Sequence, residues 1–163
     1  MSKNILLFLT VIFFGLGAYY FIHLGHYPIA LVNGKFIAAG AFNEEYAAVL
    51  QYYQRTMAQQ KTPVDLRSPE VQKELRRATL NDLIDKSLIN AELKRREGGD
   101  FEEVVENRLR SVAAAAKNLT EAAKLLYGLE FNDFMAMVLV HEAEKELLEG
   151  QLFLEQRKLS DWL

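Results

Sequence analysis

Three histidines and several paired carboxylates are the side chains from which a reactive site could be built. His141-Glu142 opens like the helix of a zinc protease, where two histidines four residues apart hold the metal and the glutamate between them activates water. The second ligand would stand at position 145, which is Lys145, so the motif fails. His23 and His26 are three apart and could share a helix face, but they supply two ligands where a closed zinc site needs about four. Gly98-Gly99 lacks the preceding strand and the following Lys-Ser/Thr of a phosphate cradle. No serine has a glycine-flanked elbow, and the absence of cysteine removes thiol nucleophiles, thiolate ligands and disulfides. Glu44-Glu45, Asp82 with Asp85, and Glu102-Glu103 read as solvated helix faces. No catalytic residue, metal or cofactor is expected.

What remains is contact chemistry. Tyr46, Tyr53, Met57, Phe131, Phe134, Met135 and Met137 are large, adaptable apolar side chains, and with Tyr52 they are too widely spread to share one helix stripe. Neighbours such as Tyr52 and Tyr53, or Phe134 and Met135, project about 100° apart. Aromatics and methionines of this kind suit varied apolar ligands, so these seven are the expected peptide-binding residues. The competing reading is that two-sided apolar helices are simply more deeply buried.

Charge narrows the partner. Lys3 is the only charged residue before Lys35, and every acidic residue lies at or beyond Glu44. Beyond Lys3 there are 18 Lys and Arg (the chain's 19 less Lys3) against 22 Asp and Glu. Arg76-Arg77 and Lys94-Arg95-Arg96 sit among acids rather than along a basic stripe, so no nucleic-acid partner is expected.

These residues must be positioned by the elements around them. Ile5 to Ile22 is uncharged and, as 18 residues of helix, about 27 Å long, close to the roughly 30 Å hydrocarbon core. With Lys3 on one side and Tyr19, Tyr20, His23, His26 and Tyr27 on the other, it is expected as a single-pass signal anchor, N-terminus in the cytoplasm and the rest outside. Gly15-Leu16-Gly17 also suits a signal peptidase, so a cleaved leader stays open beside the anchor, and a buried core helix is disfavoured by the lack of a polar face. The expected division is 1–27 as the membrane segment and 28–163 as one helical domain, a size that suits a single core.

Within that domain, Ile29 to Ala38 carries Asn33-Gly34 between two apolar runs and predicts a hairpin with a type I′ turn. Helical spacing predicts a helix over about 43–60, capped at Asn43 and broken by Lys61-Thr62-Pro63. Ser68-Pro69 opens a long second helix ending near Gly98-Gly99. Asp100 with Glu103 predicts a capping box for the third. Thr120 caps a short fourth, stopped by Gly128, and Phe131-Asn132 starts a last long one. The fold class is therefore mainly α: a transmembrane helix, a short hairpin and four to five helices.

Three stretches in order carry a resemblance: Ala30-Leu31-Val32-Asn33-Gly34-Lys35-Phe36-Ile37; then Leu80-Asn81-Asp82-Leu83-Ile84-Asp85-Lys86-Ser87-Leu88-Ile89; then Leu126-Tyr127-Gly128-Leu129-Glu130-Phe131-Asn132-Asp133-Phe134. Over about 29–155 the chain resembles the N-terminal chaperone domain of the SurA/PpiD family. The resemblance implies an ATP-independent module that holds unfolded or newly exported polypeptides in the bacterial cell envelope. PpiD-like members are kept at the inner membrane, beside the export machinery, by an uncleaved anchor. Such members usually continue into parvulin prolyl isomerase domains, for which 163 residues leave no room, so isomerase activity is not implied. The alternative is a non-catalytic envelope adaptor that binds one folded partner or self-associates.

Overall fold

The computed structural model describes the backbone of residues 3–58, 64–115 and 118–163, with side chains over 10–58, 64–114 and 118–163. The expected break at Lys61-Thr62-Pro63 lies outside them. Two compact units divide the chain, Met1–Glu44 and Glu45–Leu163.

The first unit holds helix α1, Lys3–His23, strands β1, Pro28–Val32, and β2, Lys35–Ala38, and the opening turn of helix α2, Ala39–Met57. The strands pair antiparallel, with Leu31 opposite Phe36 and Val32 opposite Lys35. Asn33 and Gly34 take positive φ of 48° and 78°, the turn that Asn-Gly predicts. α2 begins at Ala39, directly after β2, and not at the expected cap Asn43. Its start is fixed by backbone bonds to the chain ahead of the hairpin: Ala39 N–H donates to Tyr27 O at 3.0 Å and Gly40 N–H to Gly25 O at 2.8 Å. A Cβ on Gly25 would stand 2.7 Å from the Gly40 nitrogen, so this crossing requires glycine.

The single-pass anchor over Ile5 to Ile22 is corrected: among the described residues no helix is long and apolar enough to cross a membrane. The part of α1 with described side chains, Thr10 to His23, is about 21 Å long against a hydrocarbon core of roughly 30 Å. The transmembrane element of the fold class and the inner-membrane, N-terminus-in localisation fall with it.

The second unit contains the rest of α2, then α3, Pro69–Glu97; a 3₁₀ turn, Gly98–Asp100; α4, Phe101–Ala115; α5, Leu119–Ala122; α6, Phe131–Phe134; α7, Val140–Leu154; and α8, Leu159–Trp162. α5 continues into a π-helical turn, Ala123–Tyr127, and α6 reaches α7 through another, Met135–Leu139. Ser68 caps α3 as expected, its Oγ accepting from Val71 N–H at 3.2 Å with Pro69 in the first turn. Gly128 closes the π turn with φ 71°, its N–H donating to Ala123 O. Two expected caps are not made among the described residues. The 3₁₀ turn runs straight into α4, leaving Asp100 no capping role, and Asn118, with φ 67°, precedes α5 while Thr120 lies inside it.

Two apolar clusters hold this unit. Ile89 and Leu93 of α3, Phe101 and Val105 of α4, and Leu148 and Leu152 of α7 form the larger, and Trp162 of α8 packs on its edge. Ala123, Phe134 and Leu139 form the smaller. Burial of each large side chain contributes about 1.5–3 kcal/mol.

An ionic network ties the end of α3 to the segment after α7. Arg95 and Arg96 each donate to Glu92 at 2.7 Å, and Arg96 also bonds Glu155. The hydrogen bond from Arg95, then that from Arg96, hold the Glu92 carboxyl at about 2, from an ordinary 4.5, against the upward pull of burial. A depressed folded-state pKa means the contribution is present above pH 4.5 and is lost as pH falls towards 2. Glu92→Gln is expected to cost about 1 kcal/mol at pH 7, kept small by solvent around the 69 % exposed Arg95. Urea melts from pH 7 to 2 should show wild type and variant converging only below pH 4.5; a constant gap would contradict this assignment.

Candidate functional site

α2 is exceptional in this unit because none of its residues belongs to either apolar cluster. It is attached through polar and aromatic ties. Lys86 of α3, its side chain 15 % exposed, donates to Glu45 of α2 at 2.8 Å, pairs with Asp82 at 2.8 Å and reaches Met137 O in the π turn at 3.2 Å. Burial pulls the Lys86 ammonium down, but the hydrogen bonds to Asp82 and Glu45 outweigh it and the pKa ends raised. Glu45, read from sequence as solvated, is buried because this cation 41 residues away draws it in. The Tyr52 ring stacks on Tyr127 at 5.1 Å, and Arg76 lies 5.0 Å over the Tyr46 ring. Gly128 passes so close to the Gln51 amide that a Cβ there would overlap it.

Held in this way, α2 faces the first turns of α3 across an open apolar groove of about 430 Å³. Tyr53 and Met57 form one wall and Val71, Leu75 and Ala78 the other, with Glu70 and Glu74 on the α3 side. Tyr52 is committed to Tyr127, and Tyr53, about 100° further round the helix, turns to the groove. Val64 and Leu66 close one end and also line an adjoining depression of about 630 Å³. The turn before α3 fixes them: Asp65 accepts from Arg67 N–H at 2.9 Å through its carboxylate and from Ser68 N–H at 3.0 Å through its carbonyl.

The seven residues expected to bind peptide are not brought together. Tyr53 and Met57 line the groove. Tyr46 is half-buried beneath Arg76. Phe134 is 5 % exposed inside the smaller cluster, with Met135 packed against it. Phe131 and Met137 are half-buried, and the Met137 carbonyl is engaged by Lys86. The α3 wall was not singled out from sequence. Its signal was Glu70 and Glu74 one turn apart beside Val71 and Leu75, a pattern shared by many solvated helices.

A second cavity, about 350 Å³, lies where α3, the π turns, α7 and α8 meet. Lys86, Asp82, Asp85, His141, Glu142 and Lys145 line it, with Ile89 and Leu159 among its apolar residues. Burial, then Asp82 nearby, push the Asp85 carboxyl up. Beside it the buried Glu144 accepts from Asn90 at 2.7 Å and lies 3.2 Å from His141 Nδ1. Among the described residues no three His, Asp or Glu side chains converge on a metal position. The lining is a polar seam between helices, satisfied largely by its own charges.

Because α2 contributes to neither apolar cluster, its placement should depend on Lys86. Lys86→Met is expected to cost about 3 kcal/mol in chemical denaturation by leaving Glu45 buried and unpaired, and Glu45→Met added to it should recover most of the loss. Equal and additive losses in the two single variants and the double would show that the pair is not coupled.

Comparison with curated proteins and with solved structures gives no match. A family model described as the SurA-like N-terminal domain matches residues 1–124, covering the hairpin, α2, the groove and the whole of α3 and α4, and stopping before Gly128 and the last helices. On that match, which spans most of its length, the chain belongs to the family of SurA-like N-terminal domains.

Proposed function

We propose that this chain is an ATP-independent, chaperone-like module that holds unfolded polypeptide, and that the groove between α2 and α3 is where it does so. Membership of the SurA-like N-terminal family suggests the chaperone class. The observation that supports this site is the groove itself: large apolar side chains from two helices face one another across space that none of the described residues fills, with Tyr53 36 % and Val64 43 % exposed. Apolar surface left open at a concave site is suited to transient capture of apolar segments. Backbone and side chains of an extended client would shed water against Tyr53, Met57, Val71 and Leu75 without the groove having to reorganise. Tyr53 and Met57 are the proposed contact residues of α2.

The test is suppression of aggregation. The full chain, without nucleotide, is added to a chemically unfolded client on dilution from denaturant, and light scattering is followed. Near-stoichiometric chain should suppress most of the scattering. Tyr53→Ser with Met57→Ser should require at least about tenfold more protein, since each side chain carries on the order of 1 kcal/mol of contact. Circular dichroism melts control for folding of the variant. No suppression by the wild-type chain in large excess would sink the holding role, and crosslinking to a single dominant folded partner would favour an adaptor instead.

A further inference from the structure

The groove is apolar in its walls but not neutral. Glu70 and Glu74 both line it, and among the described residues no lysine or arginine does. They are one helical turn apart on α3, so their side chains are neighbours on one face, about 6 Å apart at Cβ. Both are exposed. Elsewhere on α3, Asp82 pairs with Lys86, and Glu92 with Arg95 and Arg96. No ion pair among the described residues includes Glu70 or Glu74, although Arg77 is only one turn beyond Glu74. The opposite wall carries the Tyr53 ring, and an arginine over a tyrosine face is an arrangement this protein already uses at Arg76 and Tyr46. An apolar trough with two carboxylates along one wall and an aromatic face on the other complements a segment that is both apolar and cationic.

Resting on the holding role proposed above, we infer that the groove selects polypeptide segments in which large apolar residues stand within one or two positions of Lys or Arg, and discriminates against segments flanked by Asp or Glu. The apolar side chains enter between Tyr53, Met57, Val71 and Leu75. The cations lie along α3 at Glu70 and Glu74. In an extended segment alternate residues are about 6.8 Å apart, close to the carboxylate spacing, so two basic residues at i and i+2 would engage both. Apolar contact sets whether a segment binds, and charge sets which one.

The experiment uses fluorescence anisotropy of the full chain with three dye-labelled peptides that share the same Leu, Phe and Ser positions and carry Lys, Gln or Glu at two fixed places. The Lys peptide should bind tightest and the Glu peptide weakest, differing by about tenfold at low salt and much less at high salt, where exposed charges are screened. Glu70→Gln with Glu74→Gln should bring the Lys peptide down to the Gln peptide's affinity and leave the Gln peptide unchanged; Glu70→Lys with Glu74→Lys should invert the order. These positions are exposed, so both variants are expected to fold. Equal binding of all three peptides would overturn charge selection while leaving the holding role standing. Binding of none would overturn both. A Lys preference that survives in the double Gln variant would place the discrimination outside this groove, and a dimer in sedimentation that Tyr53→Ser dissolves would make a second copy of the chain the occupant. Either result refutes the inference.

Discussion

The position of α2 rests on one largely buried cation. Lys86 is surrounded by helices and must be neutralised where it stands, and it is satisfied from three directions by Glu45, Asp82 and the Met137 carbonyl. Such a group is costly to leave unpaired, so it fixes geometry more firmly than an apolar contact of similar size, which can slide. Its partners belong to α2, α3 and the π turn of the last long helix. Fixing them fixes the width of the groove, because Tyr53 and Met57 follow Glu45 on α2 while Val71 and Leu75 precede Lys86 on α3. The apolar clusters could form with α2 elsewhere; the groove could not.

This separates stability from binding. The larger cluster takes its side chains from the second half of α3, α4 and α7, and the smaller from the segments around the π turns. The first half of α3 and the second half of α2, which form the groove, are outside both. A surface that must remain apolar and open is thus built where it need not also serve as core, and α2 is kept in place by Tyr52 on Tyr127, Arg76 on Tyr46 and the Lys86 seam.

What was legible in the sequence was what local chemistry decides. Asn33-Gly34 dictates its turn, Ser68-Pro69 its helix start and Gly128 its left-handed stop, each through φ or a capping oxygen. The start of α2 was not legible at Asn43, because it is set by Gly25 and Gly40, whose contact joins residues on either side of the hairpin. Glu45 looked like any solvated glutamate for the same reason. Adjacent aromatics signalled that some apolar side chains would lie off the core, but periodicity could not say which; Tyr53 and Phe134 differ only in the company that tertiary packing gives them. The apolar run Ile5 to Ile22 suggested an anchor by composition, but among the described residues no helix is long and apolar enough to be one.

The π turn at Met135–Leu139 has a consequence for chain length. Such a turn holds about one residue more than the α-turn that would cover the same path, so it behaves as a one-residue insertion absorbed without rotating the helix on either side. Phe134 before it and Leu148 after it can therefore serve two different clusters from a single rod. In the language of insertions and deletions, residues 135–139 are a stretch where the rod could shorten by one and stay in phase. What such a shortening would put at stake is the carbonyl that Lys86 reaches, and with it a tie that holds α2 over the groove.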